Sequence, residues 1–157
     1  MRSTSIGERG ETHVLVFDKG DEVMKNLVGF ASERKLTAGH FTAIGAFSDV
    51  TLGFLDPETK DYLRIVVDEQ VEALSLIGDV SLESGEQRVH AHVVIGKRDG
   101  RAYGGHLLEA HVWPTLEVVV TESPAHLRRR VDEETGVPLI ALDDSGRART
   151  DRPGGQG

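Results

Sequence analysis

Three histidines gather in the stretch HAHVVIGKRDGRAYGGH, at His90, His92 and His106. Neutral imidazole is the commonest metal ligand among side chains. Three imidazoles meeting at one point suit Zn²⁺, which prefers tetrahedral coordination and keeps its fourth position open when the protein supplies three ligands. The chemistry depends on whether the three rings share a face. Side chains on a strand alternate, so His90 and His92 point the same way, with Cα atoms ~6–7 Å apart.

The face of His106 depends on the intervening turn. If Asp99-Gly100 is a two-residue type I′ loop, Arg98 pairs with Arg101 and His106 falls opposite Val93, on the wrong face. If Arg98-Asp99-Gly100 is a three-residue loop, a type I turn with Gly100 left-handed in a bulge, Lys97 pairs with Arg101. His106 then lies directly opposite His92, with His90 on the adjacent diagonal. One residue of register inverts every side chain. The sequence admits both loops, and a bulge at Gly104-Gly105 would also change the parity. The converging arrangement is favoured for two reasons. Paired glycines beside a histidine suggest that something approaches the backbone closely, and three of the seven histidines lie in this one hairpin.

Other polar residues are weaker candidates. His111 lies on the opposite side of the same strand and reads as a packed or surface histidine. Glu109 has the wrong parity to join the three rings. Glu72 is either a partly buried carboxylate suited to general acid work or an edge residue facing solvent or a neighbouring subunit. His13 and His40 begin strands and read as structural. His126 with Arg128, Arg129 and Arg130 forms a basic cluster that meets either a phosphate or, preferably, the acidic run Asp132 to Glu134.

There is no nucleophile elbow, Walker loop or dinucleotide fingerprint. The chain has no cysteine, which excludes disulfides, thiolate sites and a cysteine nucleophile. Any catalysis would be metal-assisted, through a bound water made acidic by zinc. No catalytic acid or base is identifiable.

The elements that must position these groups can be read from pattern. THVLVFD reads as a strand. Asp21 is a plausible N-cap for a helix from about Glu22 to Lys35, with Val23, Leu27, Val28, Phe30 and Ala31 on its apolar face. HFTAIGAFSDVTLGFLD is β-rich and broken at Gly45 and near Ser48-Asp49. DYLRIVVD and QVEALSLIGDVSLE follow, the latter bent at Gly78. After the histidine hairpin, TLEVVVTE forms a strand with Pro114 at its entrance. AHLRRRVDEETGVPLIAL predicts a helical turn and a short strand. One helix with seven or eight strands implies an α+β fold built on a mostly antiparallel sheet.

The 157 residues suggest one folded domain, placed at 11–142. Residues 1–10 are expected to be a flexible start, and the Gly-rich stretch 143–157 a disordered tail. With 26 acidic and 18 basic residues the net charge is −8. That field opposes DNA, whose binding draws on Lys and Arg neutralising phosphates. No apolar run is long enough for a membrane span, and no signal peptide is evident. A cytoplasmic location is expected.

The segments KGDEV, TAIGAFSDVTLGF, VEALSLIGDVSL, VHAHVVIG, DGRAYGGHLLEAHVWPTLEVVV and LRRRVDEETGVPLIAL occur in this order. Together they resemble the stand-alone prokaryotic form of the PPC (plants and prokaryotes conserved) domain. The resemblance runs from about Glu11 to Leu142, and its combination of H-x-H, G-G-H-L and P-T-L-E is highly specific. It implies a central antiparallel sheet with one main helix packed on it, and assembly as a homotrimer with sites near subunit boundaries. It also implies a metal ion, usually zinc, on the histidines matching His90, His92 and His106. Similar proteins are often labelled predicted DNA-binding proteins. In plants the domain is joined to AT-hooks, whose Arg-Gly-Arg-Pro core this sequence lacks. The expected function is zinc binding with a DNA-binding or regulatory role. The alternative is a metal-dependent enzyme acting on a small molecule.

Overall fold

A computed structural model describes residues 1–6, 11–123 and 127–141. Its elements are β1 (Arg2–Ile6), β2 (Thr12–Phe17), α1 (Val23–Glu33), β3 (Gly39–Asp56), β4 (Asp61–Val67), β5 (Val71–Glu83), β6 (Glu86–Gly96), β7 (Ala102–Glu122), β8 (Arg128–Val131) and β9 (Pro138–Ile140). The fold is a mostly antiparallel sheet with one helix, as the sequence implies. The exception is the parallel pairing of β8 with β5.

Apolar residues alternate along β2 (Leu15, Phe17), β6 (Ala91, Val93, Ile95) and the end of β7 (Leu116, Val118, Val120), and all of these are buried. Period-2 burial of this kind commits each strand to one inner face. The long strands β3 and β7 each pair with several partners. β3 pairs with β5 and β7, while β6 pairs with both β5 and β7. These four strands therefore form a closed circuit of pairings around Phe41, Phe47, Leu76, Ile95 and Leu107. The helix adds Leu27 and Phe30 to the same core.

Several sequence expectations are corrected. Arg2–Ile6, expected to be frayed, pairs antiparallel with β2. The helix N-cap is Glu22, whose carboxylate accepts from the backbone N–H groups of Met24 and Lys25. Asp21 instead accepts from the backbone N–H of Asp18. Pro114 does not open a new strand: β7 runs through it, and the ladder to β3 slips between Val112 and Leu116. The breaks read at Gly45 and Ser48-Asp49 are bulges within one strand. The irregularity in β5 lies between Ala73 and Ser75, not at Gly78. The segment after His126 holds the expected turn, closed by Gly136 N–H donating to Asp132 O at 2.8 Å, and the expected short strand after it, but an additional short strand precedes the turn. The tail from Asp143 and His126 itself lie outside the described residues.

Candidate metal centre

The loop between β6 and β7 decides the parity of His106. Lys97 N–H donates to Arg101 O at 2.8 Å, Gly100 N–H donates to Lys97 O at 2.9 Å, and Gly100 has φ +82°. This is the three-residue loop with a left-handed glycine. Its register places His92 directly opposite His106. The three rings converge, with centroid separations of 5.1 Å (His90–His92), 5.0 Å (His90–His106) and 5.3 Å (His92–His106). One nitrogen from each ring lies within 4.8 Å of the others.

The close approach expected at the paired glycines is present. A Cβ at Gly105 would meet Gly53 O at 2.9 Å, and one at Gly104 would meet Val93 O at 3.2 Å. The approach is made by the backbones of the neighbouring strands. Gly53 has a more direct effect on the site. It pairs with His106, and its missing Cβ leaves room for the Tyr62 ring, whose Cδ1 would lie 2.8 Å from that Cβ. Tyr62 thereby stacks on His106, with centroids 4.6 Å apart and planes 16° apart.

His90 and His92 present their Nε2 atoms to one another at 3.3 Å. Two ligands of a tetrahedral ion at ~2.0–2.1 Å each stand ~3.3 Å apart, so this pair already has the spacing of one tetrahedral edge. His106 Nδ1 is buried and has no hydrogen-bond partner. An orphaned buried imidazole nitrogen within a cluster of imidazoles fits a cation better than a purely structural role. Burial, reinforced by the charges on His90, His92 and Arg129, pushes the His106 pKa down to about 4. Burial and then the neighbouring His90 lower His92 as well. Both rings therefore favour the neutral, ligating form.

Behind His90 lies a pair of charged residues that sequence reasoning did not identify as part of the site. His90 Nδ1 is 3.1 Å from Arg129 Nη2 and 3.8 Å from Asp79 Oδ2. Arg129 is nearly buried, donates to both Asp79 oxygens at 2.9 and 2.7 Å, and also donates to Ser81 Oγ and Pro138 O. The arginine thus pairs with Asp79 on β5, not with the acidic run that follows it in sequence. Burial alone would raise Asp79, but the neighbouring His90 ring and the hydrogen bonds from Arg129 hold it below the usual carboxylate range. Asp79 could have been found from sequence, because it shares a face with His90 once β5 and β6 are paired. Arg129 could not, since it reaches the site through the parallel β8–β5 contact.

The remaining candidates lie elsewhere. Glu72 is exposed, which removes the buried-acid reading. Glu109 faces Arg64 at 3.8 Å. His13 is buried edge-on against Phe30, and His40 is exposed. His111 is partly exposed, with Nδ1 2.7 Å from Asp49 Oδ1, and Ser48 Oγ donates to the other Asp49 oxygen. Because the serine bonds the carboxylate and not the imidazole, this trio lacks the order of a nucleophilic triad.

The family model of the Plants and Prokaryotes Conserved (PCC) domain matches residues 4–124. The bifunctional protein GlmU of Synechococcus sp. (strain JA-3-3Ab) is 30% identical over 137 residues, covering 85% of this chain. The chain spans only 21% of that protein's length. A metal-containing protein from Archaeoglobus fulgidus is 36% identical with a TM-score of 0.78, over 90% of this chain and 99% of its own. A Bacteroides thetaiotaomicron protein described as a candidate DNA-binding protein is 27% identical with a TM-score of 0.82, over 88% of this chain and 96% of its own.

Proposed function

The chain belongs to the Plants and Prokaryotes Conserved domain family, and from that premise we propose that it is a metal-binding protein whose ion is held by His90, His92 and His106. The observation that supports this most directly is the convergence of three imidazoles with a 3.3 Å Nε2–Nε2 edge. Zinc is the preferred ion, since three neutral imidazoles and a tetrahedral edge suit it. For His90 Nε2 to coordinate, its ring hydrogen must sit on Nδ1, where the nearest carboxylate oxygen, Asp79 Oδ2, stands 3.8 Å away and Arg129 Nη2 must keep its hydrogens on Asp79. A divalent ion there would supply Lewis acidity and an open coordination position.

The test is metal content per chain in protein purified without a histidine tag, beside His92→Ala. About one zinc per chain, lost in the variant, supports the proposal. No metal in either sample after zinc is added back overturns it. Loading with Co²⁺, Ni²⁺ or Cu²⁺ in competition checks the identity of the ion.

The role proposed for the site is capture of a ligand at the metal, in a cytoplasmic homotrimer. A metal-dependent enzyme is the second reading, favoured by the cavity that adjoins His90 and His106. It requires turnover that tracks metal occupancy. DNA is a candidate partner because a solved relative is described in those terms. The surface gives this little support. Arg64, Arg88, Lys97, Arg101 and Arg129 each face an acidic partner, and the net charge is −8. DNA binding would appear as a mobility shift that weakens steeply with salt.

A further inference from the structure

The histidine cluster adjoins a cavity of about 250 Å³, lined in part by His90, His106, Arg129, Val89, Val137 and Leu139. Pockets for drug-sized ligands run from ~300 to 1,000 Å³. A small molecule of a few heavy atoms fits this cavity.

The charges at its wall narrow the choice further. Arg129 is paired with Asp79 at 2.7 Å, and Arg88 with Glu83 at 2.8 Å. Those four charges cancel. Three neutral imidazoles bring no negative charge, so an ion held by them would present its full charge to whatever enters. Arg129 donates one Nη1 hydrogen to Pro138 O, and the second has no acceptor among the described residues. Val89, Val137 and Leu139 line the same cavity, together with Tyr62. A site with one cationic anchor and aliphatic walls matches a small anion with a hydrocarbon body.

Resting on the metal assignment above, we propose that this cavity binds a short-chain monocarboxylate. Its carboxylate faces the histidine-held ion and Arg129, and its hydrocarbon lies against Val137 and Leu139.

The test is calorimetric titration of the zinc-loaded full chain with acetate, propionate, butyrate, valerate and octanoate. Affinity should rise about three- to fourfold per added methylene, the value expected for burying one CH₂. It should stop rising once the cavity is full, before octanoate. Leu139→Trp and Val137→Phe narrow the cavity from its apolar side without touching a metal ligand. Each should weaken butyrate binding at least tenfold while zinc content stays at the parent value, and circular dichroism checks that both fold. A zinc-loaded protein that binds none of the acids, or binds acetate as tightly as butyrate, overturns the proposal and leaves the metal site standing. Unchanged butyrate affinity in both folded variants also overturns it. A protein that takes up no zinc overturns the metal assignment and this proposal together.

Discussion

At the scale of single residues, two histidines titrate in opposite directions for reasons visible in their surroundings. Burial holds His106 at about 4, against ~6.5 in an unfolded chain. Between those values the unfolded chain binds the proton and the folded chain does not, so stability falls as pH drops through that window. The full gap would be worth ~3 kcal/mol. His106 is only partly buried, so screening reduces this to on the order of 1–2 kcal/mol. Urea unfolding of the metal-free protein at several pH values should show the loss, and His106→Asn should flatten it. His111 behaves in the reverse sense. Its hydrogen bond to Asp49, helped by the charges of Asp49, Glu109 and Glu22, raises its pKa. Its contribution is fully present below ~6.5 and is lost as pH rises through the folded value. An NMR titration should place the His111 midpoint above 6.5, and Asp49→Asn should bring it down. Zinc should act on the first histidine and not the second. At free ion one hundred times the dissociation constant, binding stabilises the fold by ~2.7 kcal/mol. Chelation should therefore lower the melting temperature while leaving the His111 titration unchanged.

At the scale of elements, glycines contribute to the architecture in two distinct ways that substitution can separate. Gly100 has φ +82° and open space around its missing Cβ. Gly100→Ala meets only the left-handed backbone penalty, ~1–2 kcal/mol. Gly78 lies in register between β3 and β6, where a Cβ would meet Phe41 Cζ at 2.3 Å and His90 O at 2.4 Å. Gly78→Ala must push the backbone carrying His90 or displace a buried ring, a steric cost of ~1–3 kcal/mol or more. Denaturant melts should rank Gly78→Ala as the more damaging change. It alone should reduce zinc affinity, because only it disturbs a strand that holds a ligand. The same elements show what the sequence could disclose. The His90–His92–His106 convergence was legible because it depends on a local turn and on strand alternation. So were the helix and most strand segments, through the 3.6- and 2-residue spacing of Leu27, Phe30, Val93 and Ile95. Arg129 was not legible, because its place depends on β8 meeting β5 across 46 residues, from Glu83 to Arg129. Tyr62 stacking on His106 was hidden for a similar reason, since it needs β4 and β7 to flank β3 on either side. The course of β7 through Pro114 was misread because the local rule for proline does not see the bulge opposite Gly45.

At the scale of the whole molecule, the distribution of apolar surface argues for self-association. The outer face of the closed sheet carries Ile44, Leu74, Ile77 and Val119, which are 62, 54, 54 and 43% exposed. All four line one shallow depression, with the charge of Glu117 beside them. Apart from this patch, the β3–β4 arm exposes Phe54 and Leu63 on one of its faces and Val66 on the other, each at least 62% exposed. Scattered apolar residues on a surface are ordinary, but a contiguous patch on a sheet face marks an interaction site. A net charge of −8 favours separation of copies at low salt, so the proposed assembly should be helped by added salt. The family resemblance supplies the expected number, three. Light scattering at 0.15 M salt should return about three times the chain mass. Ile77→Glu and Leu74→Glu each place a carboxylate at the middle of the patch without disturbing a core residue, and each should shift the protein to monomer. Ile77 pairs directly with His92, so the zinc content is best read in Leu74→Glu, which adds no carboxylate opposite a proposed ligand. If Leu74→Glu releases the zinc as well as the partner copies, then subunit contact supports the metal site. If the monomer keeps one zinc per chain, then the three histidines hold their ion within a single chain.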